Sequence, residues 1–126
     1  MNILCEISLG ELLDKLSILY IKRKKIADQI KLKHVNLEIQ KLETTLTGLT
    51  IGDYQELLSE LETINLKLWV IEDDIRDKER KKEFDQEFID LARAVYITND
   101  QRFECKNKIN QKYSSTLVEV KSYQQY

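Results

Sequence analysis

The longest regular pattern of apolar residues lies between Asp53 and Arg80. Apolar residues recur there at alternating spacings of four and three, at Leu57, Leu61, Ile64, Leu68, Ile71 and Ile75. A 3.5-residue repeat is typical of a helix whose apolar seam packs against a partner helix. The pattern therefore predicts a long helix over about residues 53–82, with Asp53 as its N-cap and Glu56 completing a capping box.

The same repeat starts near the N-terminus and predicts a first helix over about residues 8–31. Its seam consists of Leu9, Leu12, Leu16, Leu19, Ile26 and Ile30. Ser8 and Glu11 fit a second capping box at the start of this helix. The repeat assigns position 23 to the seam, but this position holds Arg23. The polar segment 31–36, which contains His34, is the predicted bend after the helix.

Two further helices are predicted, over about residues 35–47 and 84–113. The shorter one ends at Gly48, which we expect to adopt the left-handed conformation as a C′ residue. The seam of the longer one turns polar in its middle, at Asn99, Arg102 and Lys106. Residues 114–126 have a β-like pattern, and we expect an extended segment that docks on the helices.

Composition agrees with long helices, because the 126 residues include no Pro and three Gly, and 33% of them are charged. We therefore expect one all-α domain, an elongated antiparallel helical bundle with coiled-coil-like heptad seams. Such a bundle has a thin core, so burial of leftover apolar faces in a homo-oligomer is expected. The net charge of −2 gives no reason to expect a nucleic acid or membrane partner.

Cys5 and Cys105 lie far apart in the sequence, and no CxxC motif occurs. We expect two reduced thiols in a cytoplasmic protein, with no metal site and no cofactor. The first ten residues are too short and too acidic for a signal peptide, and no apolar run is long enough to cross a membrane.

Polar residues inside or beside the seams are the candidates for a functional site. They could supply an anion site for a carboxylate or phosphate, formed by Arg23, Glu72, Arg76, Asn99, Asp100, Arg102 and Lys106. Alternatively, they could form a buried polar layer that fixes helix register, or a protein-binding face. Three aromatic residues are candidates for an interface or for stacking: Trp69, Tyr96 and Tyr123.

Four segments, 7–26, 68–80, 88–102 and 117–126, resemble a bacterial family of short helical proteins of unknown function. The resemblance covers nearly the whole chain, and it implies a helical fold without implying an activity. It also draws attention to Lys121 and Tyr123, and implies that the C-terminal tail folds back onto the bundle.

Residues 12–30 also resemble the first helix of the all-α chorismate mutases, in which an Arg on a long helix binds a dicarboxylate substrate. Arg23 would carry that role here. The Arg–Glu pair of the next helix in those enzymes is absent from residues 36–46, so the resemblance stops at one helix.

These observations favour a protein that acts by binding, as a homo-oligomer or as an accessory subunit of another protein. The alternative is a small enzyme or ligand-binding protein with an anion site formed by the Arg and Lys residues of the seams.

Overall fold

The structure is a computed structural model that describes residues 1–126, and it contains four α-helices and no strand. The helices are α1 (Leu9–Lys25), α2 (Gln29–Thr47), α3 (Gln55–Lys81) and α4 (Gln86–Lys112). The predicted all-α helical bundle is therefore confirmed. No helix combines the length and the apolar character that crossing a membrane requires.

Helices α3 and α4 form an antiparallel hairpin that is the longest part of the molecule. Each has 27 residues and therefore a length of roughly 40 Å. At the connection Lys78 Nζ lies 3.0 Å from Asp85 Oδ2, and at the opposite end Lys112 Nζ donates to the carbonyl oxygen of Asp53 at 3.0 Å. Helix α1 packs against both helices of the hairpin, and α2 packs against α1.

The core lies where α1 crosses the hairpin. Its main cluster contains Leu12, Leu13, Leu16, Leu46, Leu58, Leu61, Cys105 and Ile109. A smaller cluster of Leu19, Val35 and Ile39 joins α1 to α2. Apolar residues from all four helices therefore meet, as their spacing requires.

The connection between α1 and α2 lies earlier than predicted. The chain leaves the helical conformation at Ile26, and Asp28 caps α2 by accepting a hydrogen bond from the Lys31 backbone N–H at 2.9 Å. The segment 31–36 is helical, so the predicted bend there is wrong. Ile30 is 73% exposed and belongs to α2, because a capping Asp overrides a continuous apolar repeat.

Three predicted caps also differ from the structure. Ser8 accepts from the Glu11 backbone N–H at 3.2 Å as expected, but the Glu11 carboxylate binds Lys106 on α4. Asp53 is left-handed with φ 55°, and α3 starts after Tyr54 without a side-chain cap. Gly48 has φ −73° and is right-handed. Glu11 does not complete the capping box because a hydrogen bond to the charged Lys106 is stronger than one to a local backbone N–H group.

Gly10 allows a close approach between α1 and α4. Its backbone N–H donates to Asn110 Oδ1 at 2.8 Å, and a Cβ at this position would lie 2.8 Å from the Lys106 carbonyl oxygen. Ser115, beyond the end of α4, lies 3.4 Å from the Leu9 backbone nitrogen. The first N–H groups of α1, which a helix cannot satisfy itself, are thus bound by residues from the other end of the chain.

The segment after α4 has no secondary structure and runs back along that helix. Its contacts with α4 move steadily towards the start of the helix. Glu119 lies 2.6 Å from Lys106, Lys121 lies 3.4 Å from Asp100, and the Tyr126 hydroxyl donates to Asp100 at 2.6 Å. Ionic and hydrogen-bonded contacts, rather than apolar burial, hold this C-terminal tail.

Candidate functional site

A polar layer joins α1, α3 and α4 at the level of Asp14. Asp14 is 2% exposed. Arg102 donates to it through two nitrogens, with Nε 2.9 Å from Oδ1 and Nη2 2.5 Å from Oδ2. Asn65 donates to the same Oδ1 at 2.9 Å and to Ser17 Oγ at 2.7 Å. The hydrogen bond and charge of Asp14 raise the pKa of Arg102, so the guanidinium stays charged.

Lys106 is a second charged residue of α4, and it is buried. Its Nζ lies 2.8 Å from Glu11 Oε1 and 2.6 Å from Glu119 Oε2. Burial lowers the pKa of Lys106, but the hydrogen bonds that it donates to the two carboxylates and the charge of the nearby acidic groups outweigh that effect, and the pKa is raised. Lys106 therefore links the start of α1 and the C-terminal tail to α4. Both of its ionic contacts are with carboxylates of the protein, so it is not available to bind an anionic ligand.

A groove of about 450 Å³ opens beside the polar layer, between α1, α3 and α4. It brings together five of the residues expected to bind or stack on a ligand: Trp69, Glu72, Arg76, Asn99 and Arg102. Ile18, Ile21 and Leu68 add apolar walls. At the mouth, Glu72 and Arg76 pair with each other one helical turn apart. The volume lies within the range of small-molecule sites.

Five expected site residues lie outside this groove. Arg23 is exposed and lies over the Tyr20 ring, 5.0 Å from its centroid, so it does not meet the polar residues of α4. Lys106 is held by its two carboxylates, as described above. Asp100 binds the tail, and the Tyr126 hydroxyl and Lys121 lower its pKa. Tyr96 contacts the Tyr126 ring with 5.1 Å between centroids, and Tyr123 is exposed.

Sequence reasoning missed Asp14, Ser17 and Asn65, which carry the polar layer. A signal for the first two was present, because Gly10, Asp14 and Ser17 recur at helical spacings of four and three and form a small and polar stripe beside the apolar seam. Asn65 interrupts the buried side of α3 between Leu61 and Leu68. In the sequence each of these residues is typical of a solvent-exposed position beside an apolar seam. Their burial becomes evident only when the packing of the neighbouring helix is known.

A second concavity, of about 440 Å³, lies between α1, α2 and the start of α3. There the Tyr20 hydroxyl donates to Glu43 Oε1 at 2.8 Å. Burial and this hydrogen bond raise the pKa of Tyr20 to about 12. No group of three His, Cys, Asp or Glu side chains is placed to hold a metal ion, and both cysteines are free.

Comparison of the chain with protein-family models, with curated proteins and with solved structures gives no match.

Proposed function

We propose that the protein acts by binding, as a homo-oligomer that associates through the far half of the α3–α4 hairpin. We call this half, residues 72–97, the distal arm. The observation that carries the proposal is that none of its residues is buried, although it belongs to the two longest helices. The core clusters contain no residue of the arm.

The arm part of α4 is apolar around most of its circumference. Its apolar residues are Phe88, Ile89, Leu91, Ala92, Ala94, Val95, Tyr96 and Ile97. A helix of this kind is normally covered on several sides, but here α3 covers one side and the Tyr126 ring of the tail contacts Tyr96. Ile89 is 48% exposed and Tyr96 is 43% exposed, and the spacing of seven residues places both on one outward stripe.

A second copy of the chain suits this surface in shape and charge. Two antiparallel helical hairpins can bury their apolar faces against each other as a four-helix bundle. Arg93 lies between Ile89 and Tyr96 and has no ion pair, and Asp74 on α3 is also exposed without one. In a two-fold symmetric dimer the same surface is present on both subunits, so Arg93 of each subunit can form an ion pair with an acidic residue of the other.

The test compares Ile89→Glu with Leu37→Glu by light scattering after size exclusion and by native mass spectrometry. We expect a dimer for the natural chain and a monomer for Ile89→Glu, because an unpaired carboxylate buried in an interface costs several kcal/mol, which weakens association at least about a hundredfold. Leu37 is 53% exposed on α2, outside the arm, and its variant should remain dimeric.

Circular dichroism should show the same helix content for both variants. A natural chain that stays monomeric at micromolar concentrations would refute the proposal. A dimer that Ile89→Glu leaves intact would place the interface elsewhere and refute the role of the arm. A different protein retained in stoichiometric amount would favour an accessory subunit over self-association.

A further inference from the structure

The groove beside the polar layer contains a hydrogen-bond acceptor to which no protein group donates. Asn65 is 5% exposed and lines the groove. Its amide nitrogen donates to Asp14 Oδ1 and to Ser17 Oγ, which uses both hydrogens. A carboxylate oxygen only accepts, so the contact with Asp14 fixes which side of the amide is nitrogen. Asn65 Oδ1 is left without a protein donor, and a ligand in the groove can donate a hydrogen bond to it.

Arg102 presents a free donor edge in the same groove. Its side chain is 29% exposed, and Nε and Nη2 bind Asp14. The hydrogens of Nη1 have no acceptor in the protein, and they can meet a carboxylate or carbonyl oxygen. Arg102 and Asn65 bind the same oxygen, Asp14 Oδ1, at 2.9 Å each. Asn65 and Arg102 are therefore held on one carboxylate, and both residues line the groove.

The charge around the groove is mixed and does not favour a strongly anionic ligand. Asp14 already forms an ion pair with Arg102, and Glu72 forms an ion pair with Arg76 at the opening of the groove. Asp73 adds a carboxylate without an ion pair to the same lining. A phosphate or dicarboxylate would meet more negative than positive charge here, and it would gain little from arginines that already have partners.

We propose that this groove binds an α-amino acid as its zwitterion, with an apolar or aromatic side chain. The α-carboxylate accepts hydrogen bonds from Arg102, and the ammonium group donates to Asn65 Oδ1. These two charges share one carbon in an α-amino acid, which matches an acceptor and a donor edge on two residues that Asp14 holds together. Ile18, Leu68 and Trp69 supply apolar surface for the side chain.

The fluorescence of Trp69 tests the proposal directly, because it is the single tryptophan of the chain and lines the groove. L-leucine and L-phenylalanine are titrated against the natural protein, and we expect a saturable change in the Trp69 emission. The controls are N-acetyl-L-leucine, which lacks the ammonium charge, and L-leucinamide, which lacks the carboxylate. Each should bind at least about tenfold more weakly than leucine, because it leaves one polar group of the site unpaired.

Two variants separate binding from folding. Asn65→Leu removes the acceptor but also removes two hydrogen bonds of the polar layer, so its stability can fall. Ile18→Phe leaves that layer intact and fills the groove, and it should abolish the emission change while circular dichroism stays helical. Arg23→Ala, on an exposed side chain outside the groove, should bind as the natural chain does.

The absence of any saturable change with leucine and phenylalanine would overturn the proposal. Equal affinity for N-acetyl-L-leucine would also overturn it and would indicate a simple anion site. Retained binding in Ile18→Phe would move the ligand out of the groove and would have the same consequence. The dimer tests of the distal arm use Ile89 and Leu37, so the two proposals fail independently.

Discussion

Gly10 shows how one residue can reverse an ordinary rule of helix stability. Replacing Gly by Ala inside a helix normally stabilises it by roughly 0.5–1 kcal/mol. At Gly10 the new Cβ would lie 2.7 Å from Asn110 Oδ1 and 2.8 Å from the Lys106 carbonyl oxygen. The second of these atoms is backbone, so α1 and α4 would have to move apart.

We therefore expect Gly10→Ala to lower the free energy of unfolding by about 1–3 kcal/mol, the usual cost of overpacking. Urea denaturation followed by circular dichroism measures this change. Gly48→Ala is the matched control, because Gly48 is right-handed and its nearest neighbour would lie 3.4 Å from the new Cβ. Equal stability of the two variants would contradict the close approach.

At the scale of an element, the C-terminal tail is held by groups that titrate. The Tyr126 hydroxyl donates to Asp100, which lowers the pKa of Asp100 and raises the pKa of Tyr126 to about 12. A lowered carboxyl pKa stabilises the docked tail above the ordinary pKa of 3.8, and this contribution is lost as the pH falls through the lowered value. A raised tyrosine pKa stabilises it below 10.0, and this contribution is lost as the pH rises through about 12.

The contact between Tyr126 and Asp100 is therefore expected to be stable at intermediate pH. It should weaken in acid, where Asp100 is protonated, and in strong alkali, where Tyr126 ionises. Titration of tyrosinate absorbance in the natural chain and in Tyr126→Phe measures the alkaline limit. The difference between the two curves should show one tyrosine ionising near pH 12. Tyr20 ionises in the same range and cancels in the difference, because it is present in both proteins. A difference curve centred near pH 10 would mean that Tyr126 is free in solution.

At the scale of the whole molecule, Asp14 decides how three helices fit together. Its carboxylate is the common acceptor for Asn65 on α3 and Arg102 on α4. Any shift of α1 along the hairpin would separate these groups and leave a charge buried without a partner. The layer therefore selects one register from the several that leucine-rich seams allow.

We expect Asp14→Ala to lower the free energy of unfolding by about 3 kcal/mol, the lower end for removing one partner of a buried ion pair, since Arg102 keeps some contact with water. Chemical denaturation measures the loss. Arg23→Ala is the comparison, because Arg23 is exposed, and its variant should change the free energy of unfolding by less than about 0.5 kcal/mol. A similar loss in both variants would remove the argument for a specific layer.

The amino-acid pattern was sufficient to predict the helical class and the approximate bounds of α3 and α4. A 3.5-residue apolar repeat without proline leaves the chain few other ways to bury its leucines, and this constraint is local. The apolar repeat could not place the break between α1 and α2, because no glycine or proline lies near Ile26. The seam continues through this point in the sequence, although Asp28 caps a new helix there.

Which polar residues contact each other depends on how the helices pack. Arg102 was a candidate from its place in the seam of α4, but its partner Asp14 lies 88 positions away, and Asn65 lies 51 positions from Asp14. The pairing of distant charges depends on which helix faces are neighbours and at which level they cross, and helical periodicity carries no information on either. For the same reason Arg23 and Lys106 were equivalent to Arg102 in the sequence, since all three are basic residues at seam positions. In the structure Arg23 is exposed to solvent, whereas Lys106 forms an ion pair with Glu119 of the tail.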